Sequence, residues 1–332
     1  MAILSRLGEL RMSMSPVLSA KVLGYSPGGL IGHKLLSPVP CGEGGARLPI
    51  YSPSSLRVMD DLRALRAQAK RVDFSITYTD VTMDEHTVNV PIDWREARAG
   101  DTMGWDVAAR AARTAKRFVA TQREYNIAQY LMNTSNYASG YSETVGGTTN
   151  KWDSITSKVS DQDPITLIKI KAAKVRAACG QRPTKFWCGA YVWDMLQNNT
   201  NVMAAMKLAP PSAIAPVWVT PEAFAAAIGV EKVEIGSGVY SSDGTTIGGD
   251  IWSDAAGLVV FNEDVTSVEA PTYGLLAQEK FGTLGETDLF GFVSTEVTEG
   301  GKLTSTYYTE MYKPWVAMNF AGYLWLDTLG VI

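Results

Sequence analysis

An α+β fold is predicted by three features of this sequence. The stretch from Trp105 to Asn136 carries apolar residues at helical spacing, two stretches before it alternate apolar and polar residues, and the chain after Thr184 mixes short helical and strand patterns. The apolar positions of the first stretch are Ala108, Ala111, Ala112, Ala115, Phe118, Val119, Ile127, Ala128 and Leu131. Arg110, Arg113, Lys116, Arg117, Arg123 and Glu124 fill the polar flank beside them. Asp101 and Thr102 are the expected caps, and neither Gly nor Pro interrupts the run after Gly104. A helix of roughly 30 residues is about 45 Å long, whereas helices of globular domains average about 11–12 residues. It has the shape of a spine, although taken alone it is better explained as the core helix of an enzyme.

Composition narrows the function classes. The 332 residues are 46% hydrophobic and 19% charged, enough to bury a sizeable core. A net charge of −4 gives no general attraction to nucleic acid or to an anionic membrane. Cys41, Cys179 and Cys188 form neither a CxxC nor a zinc-ligand cluster and read as reduced thiols. The opening MAILSRLGELRMSMS alternates apolar with charged residues, unlike a signal peptide, and no uncharged apolar run reaches membrane-spanning length.

Taken in order, residues 1–50 begin with an expected short helix (Ile3 to Met14). They continue as a Gly- and Pro-rich arm with at most one short strand. Leu56, Met59, Leu62 and Leu65 predict a short amphipathic helix within 51–69. Val72, Phe74, Ile76 and Tyr78, then Val88, Val90 and Ile92, alternate with polar residues. They predict a two-stranded ribbon with a charged tip at Asp84, Glu85 and His86. A lone hairpin is marginal in water, so this one is expected to dock on another surface. Asp93 to Asp101 reads as a charged hinge, and Asn133 to Asn150 as the polar loop that ends the spine. Asp163–Pro164 caps a second helix ending at Cys179–Gly180. Lys185 onward predicts a buried strand running into a helix through Leu196, then a Pro-initiated helix ending at Gly229 and several short strands. A long aromatic strand is expected from about Tyr307.

The catalytic inventory is thin. There is no P-loop, GxSxG or HExxH, and Gly236-Ser-Gly238 lacks the rest of a dinucleotide fingerprint. The two histidines, His33 and His86, lie in the arm and at the ribbon tip, without the rigid support that a general base needs. Asp163 is better explained as a helix cap, and Asp60–Asp61 as solvated helix-face charges. A metal held by Asp84, Glu85 and His86 would need ligands from elsewhere, so no cofactor or metal is expected.

The order of the elements is more specific than any residue. Arm, ribbon, long helix, shorter helix, α+β insertion and final strand follow one another as in the major capsid proteins of tailed double-stranded DNA phages, which share the HK97-type fold. The closest local resemblance runs from Ile76 to Asn133, where Val90, Pro91, Ile92, Asp93, Glu96, Ala97 and Ala99 are similar to that family's step into its spine helix. Trp152, Pro183, the run 187–202, the segment 219–240 and Trp252 resemble further family motifs in the same order. The resemblance covers about residues 70–275.

It implies an arm (1–50), an extended loop (51–93), a peripheral domain with the spine (94–184), an axial domain (185–285) and C-terminal strands returning to the peripheral domain (286–332). It also implies a non-enzymatic shell subunit that assembles with itself into pentamers and hexamers around double-stranded DNA. Scaffold, portal and decoration proteins are further partners of that family, and the protein would be assembled in the host cytoplasm and reside in the virion capsid. Arg71, Phe74, Tyr78, Asp84, Glu85 and His86 are the candidate subunit-contact residues on the extended loop. The family's crosslinking lysine is not carried over to Lys70, because no motif supports it. An encapsulin-like compartment is the alternative within the fold, and a hydrolase using His86 with Asp84 or Glu85 the alternative outside it.

Overall fold

The computed structural model describes residues 15–23, 25, 27–42, 45–50, 77–145, 151–152, 163–207, 219–262, 271–284, 287–298 and 302–329, with isolated positions between 58 and 71. The expected helix over Ile3–Met14, most of the one within 51–69, and Val72, Phe74 and Ile76 lie outside the described residues.

The first described elements are α1 (Pro16–Leu23), α2 (Gly32–Leu35), β1 (Ser37–Cys41) and β2 (Ala46–Ile50). They correct the expectation of an extended arm over residues 1–50. Val22, Ile31, Leu35 and Leu36 are all buried in this chain's own cores. Local Gly and Pro content signals irregular backbone, but these apolar side chains find cover on the spine helix, and tertiary burial decides the outcome.

β3 (Thr77–Val81) and β4 (Asp84–Asp93) follow. The alternation read in β4 is correct: His86, Val88, Val90 and Ile92 are more buried than their neighbours. The predicted pairing is not. β3 pairs with β2, from Ala46↔Val81 to Ile50↔Thr77. β4 pairs instead with a C-terminal strand, from Asp93↔Leu303 to Asp84↔Tyr312. An alternating pattern reveals that a strand has a buried face but not which strand lies beside it. Residues 51–76 therefore connect β2 to β3, and Asp84, Glu85 and His86 are sheet residues rather than a free tip.

Residues 94–103 form a separate helix, α3 (Trp94–Met103), where a hinge was expected. Asp93 caps it, accepting from Arg95 N at 2.8 Å. Gly104, at φ 71°, ends it in the left-handed region that glycine reaches without steric cost. The spine proper is α4 (Val107–Leu131), 25 residues and so about 37 Å. Its cap is Asp106, which accepts from Ala109 N at 2.9 Å, rather than Asp101 or Thr102. Phe118, placed on the apolar face by periodicity, is 60% exposed, and Glu124, placed on the polar flank, is 2% exposed.

The remaining elements are β5 (Ser142–Thr144), α5 (Pro164–Cys179), β6 (Lys185–Gly189), α6 (Ala190–Asn198), α7 (Thr200–Lys207), α8 (Pro221–Ile228), β7 (Lys232–Gly236), β8 (Val239–Tyr240), β9 (Gly249–Asp250), β10 (Ala256–Val259), β11 (Gly274–Glu279), β12 (Gly282–Leu284), β13 (Thr287–Leu289), β14 (Gly291–Thr298), β15 (Leu303–Val316) and β16 (Gly322–Leu326). Asp163 caps α5 and Thr220 caps α8, each with Pro at the first helical position, and Ile165, Ile168, Ala172 and Val175 are the buried face of α5 as the spacing predicts.

Two five-stranded sheets flank the spine. One runs β1–β11–β15–β14, with β4 also on β15; the other runs β5–β16–β10–β6–β7. The expected C-terminal strand is thus two strands. β15 lies on the spine's sheet, but β16 crosses into the insertion's sheet beside β10, correcting the expectation that both return to the peripheral part. The spine spans two cores. Ala112, Ala115 and Val119 pack with Val22, Val293 and Tyr308 near its start, while Ile127, Ala128 and Leu131 enter the large core of the second sheet. The small Ala side chains let β4 and β15 approach closely. In the large core Trp252 packs at a tilt of 57° against Trp187, ring centres 5.2 Å apart. Gly236 makes room for its indole: a Cβ there would lie 2.2 Å from the ring.

Candidate assembly surfaces

The residues predicted to contact a neighbour fall in two places. Arg71 lies in the segment that connects β2 to β3, and Tyr78 lies on β3 just after it. Tyr78, on β3, is 47% exposed, with the Arg47 guanidinium 5.1 Å over its ring. Phe74 lies outside the described residues. Asp84, Glu85 and His86 come together at the start of β4. Lys313 lies 3.3 Å from the Asp84 carboxylate, and Thr87 donates its hydroxyl to Glu85 at 3.1 Å. The His86 ring stacks on Tyr312 at 4.1 Å and 17°. Burial of this imidazole lowers its pKa, against the raising effects of Asp84 and Glu310. His33 sits in α2, its pKa held at about 4 mainly by desolvation, with Arg123 and Lys34 adding to the effect. Among the described residues no group of three or more His, Cys, Asp or Glu could hold a metal ion, and no helix is long and apolar enough to cross a membrane. The three cysteines are free and buried.

Sequence reasoning missed a buried polar joint. Glu124 Oε1 accepts from Ile31 N (2.7 Å) and Trp252 Nε1 (2.7 Å), and its Oε2 accepts from Gly32 N (2.8 Å). One carboxylate thus ties the spine to the N-terminal segment and to the loop before β10. Burial raises its pKa, and these hydrogen bonds pull it part of the way back. Beside it, Arg123 donates to the buried Glu310 at 2.8 Å, and Tyr308 donates to the other oxygen at 2.6 Å. Lys116 donates to the carbonyls of Val22 and Leu23, holding the end of α1 on the spine. Nothing in the local spacing distinguishes Glu124 from the exposed Arg113 or Arg117. Its burial is set by segments some 90 and 130 residues away.

The other end of the spine is open. Val90, Ile92, Gly100, Met103, Trp105 and Val107 line a groove of about 550 Å3 between β4, α3 and the first turns of α4. Gly100 is the one buried residue of α3, and Trp94, Met103 and Trp105 are exposed.

No protein-family model matches the chain. The major capsid protein of Burkholderia phage BcepMu is 26% identical over 327 residues, 97% of this chain and 98% of that protein. Among solved structures, a phage-related protein of Bordetella bronchiseptica matches with a TM-score of 0.70 and 21% identity, over 95% of this chain and 97% of that one. The capsid of cyanophage P-SCSP1u matches at 0.53 and 12% identity, over 93% of this chain and 91% of that one. An encapsulin complex of Synechococcus elongatus matches at 0.51 and 10%, over 94% and 95%. The chain has the HK97-type capsid fold. The features above sort into two kinds. Glu124, Glu310 and the Trp-rich core hold the chain together, whereas Trp94 and Met103 of α3 and Trp105 of the groove are exposed.

Proposed function

We propose that this chain is a major capsid protein, a structural subunit that assembles into the pentamers and hexamers of an icosahedral phage head enclosing double-stranded DNA. The observation that carries this reading is the end-to-end relation to a phage major capsid protein in a chain with the capsid fold. The molecule's construction supports it. The β2–β3 root launches a 26-residue segment, 51–76, and its Val58 and Leu65 are 97% and 94% exposed. Large apolar side chains exposed together on one segment mark a contact surface, which in a shell a neighbouring copy would cover. The loop end of β3 and the start of β4, with Arg71, Phe74, Tyr78, Asp84, Glu85 and His86, supplies part of that contact.

The role is non-enzymatic. The His86 ring is committed to Tyr312, which leaves the hydrolase alternative without a freely oriented base. Arg110, Arg113 and Arg117 form an exposed stripe on the spine suited to weak, salt-sensitive contact with packaged DNA. Scaffold, portal and decoration proteins are the partners such a head would recruit, and assembly would take place in the host cytoplasm, with the virion as the final location. The structural match to an encapsulin favours a second reading, a cargo-enclosing compartment, on the fold alone; the sequence relation to a phage protein favours the head. Negative-stain imaging of purified particles made with and without a DNA-packaging system tests the choice. DNA-filled shells support the head, and shells that take up only a protein cargo support the compartment.

A further inference from the structure

Two lysines stand side by side on neighbouring strands of the second sheet. β6 and β7 are parallel, and their register sets Lys185 beside Lys232. Like charges in that position repel, so the pair costs stability unless a counter-charge is near. Lys34 of α2 adds a third cation, and its backbone carbonyl accepts from the Lys185 ammonium. Glu234 lies two residues along β7 from Lys232 and so on the same face. Its Oε1 is 2.9 Å from the Lys232 ammonium and its Oε2 3.6 Å from that of Lys34.

These four side chains line an open cleft of about 440 Å3, with His33, Pro38 and Phe261 completing its walls. Three ammonium groups against one carboxylate leave an excess of positive charge, in a chain whose net charge is −4. His33 feels that excess: desolvation lowers its pKa, and Arg123, Lys34 and Lys185 lower it further, against Glu234. The Glu234 side chain is 6% exposed. Among the described residues no hydrogen bond reaches its Oε1, because Lys232 pairs with it by charge but outside hydrogen-bond geometry. A buried carboxylate oxygen without a donor is costly. The cleft therefore calls for negative charge together with a hydrogen-bond donor aimed at Glu234.

Few anions supply both. Sulfate is a dianion without an O–H, and a phosphodiester is a monoanion without one. Inorganic phosphate near neutral pH carries the charge and keeps at least one P–O–H. We propose that this cleft is a binding site for inorganic phosphate, held as the hydrogen phosphate ion. Its unprotonated oxygens accept from Lys34 and Lys232, Lys185 adds the third positive charge, and its hydroxyl donates to Glu234 Oε1. The ion ties α2 to β7, so it stabilises the single subunit whether or not that subunit is in a shell.

The test is calorimetric titration of the purified full-length chain with phosphate and with sulfate, at matched ionic strength in buffer free of both. Phosphate is expected to bind at one site per chain and about tenfold or more tightly than sulfate, the effect of one hydrogen bond to a charged group. No saturable phosphate binding below about 10 mM, or equal affinity for the two anions, overturns the proposal. Glu234→Gln removes the charge that repels sulfate and should bring the two affinities within about threefold of each other. Undiminished discrimination in that variant overturns the role given to Glu234. Phosphate should also raise the unfolding temperature of the wild type beyond the general stabilisation that sulfate gives. That excess should vanish in Lys34→Gln/Lys232→Gln, each protein being read against its own phosphate-free baseline. An excess that survives the double substitution places the phosphate elsewhere and overturns the site. A short DNA duplex should leave phosphate binding unchanged. Displacement of phosphate by the duplex would make the cleft a nucleic-acid contact instead and overturn the assignment.

Discussion

The two ends of the spine helix are built to opposite plans. At its C-terminal end Ile127, Ala128 and Leu131 are completely buried, and Glu124 is bonded to two other parts of the chain. At its N-terminal end α3 and the approach to the first turn expose Trp94, Met103 and Trp105, the last two lining a groove. The same helix thus closes the core at one end and leaves apolar side chains exposed at the other. Substitutions should separate the two roles.

The largest effect is expected from Trp252→Ala in the large core. It removes an indole that lies against Gly236 and donates to Glu124, and should cost about 3–5 kcal/mol in denaturant unfolding of the dissociated subunit. Glu124→Ala comes next. It leaves the Ile31 and Gly32 amides and the Trp252 indole N–H without their acceptor, at about 1–3 kcal/mol for an unpaired buried group. A loss below 0.5 kcal/mol would show that the joint carries no stability.

The conservative variant reads the charge rather than the shape. The folded pKa of Glu124 is raised, so ionising it in place costs more than ionising it in the unfolded chain. That penalty is absent below the unfolded carboxyl pKa and fully present above the folded one. Wild type should therefore lose stability relative to Glu124→Gln as pH rises through this interval. A pH-independent difference between the two would contradict the assignment.

The smallest effect on the subunit is expected at the exposed Phe118, midway along the spine: Phe118→Ser should change unfolding stability by no more than about 0.5 kcal/mol. A core-sized loss there would erase the contrast between the two ends.

The same contrast explains what could be read from the chain alone. Caps and periodicity placed α5 and α8 well, because Asp163–Pro164 and Thr220–Pro221 are local signals followed by glycines. The alternation of β4 was legible for the same reason. Its partner was not, because β15 lies more than 200 residues away in sequence. Glu124 and Phe118 exchanged their expected places for a related cause. The spine has a second and third neighbour at its C-terminal end and an open face at its start, which period alone cannot distinguish. Within the Gly/Pro-rich first 50 residues, local punctuation pointed to an arm, but Val22 and Leu35 had a core to join. Of the candidate contact residues, those at 84–86 were misread as a tip because the ribbon was paired with the wrong strand. Tyr78 lies on β3, beside the segment that connects it to β2.

Static light scattering of the purified chain, with negative-stain imaging of the same sample, tests the central claim most directly. The account predicts closed shells, rings or capsomers of megadalton scale, which dissociate when residues 51–76 are removed. A stable monomer of 36.0 kDa would contradict it.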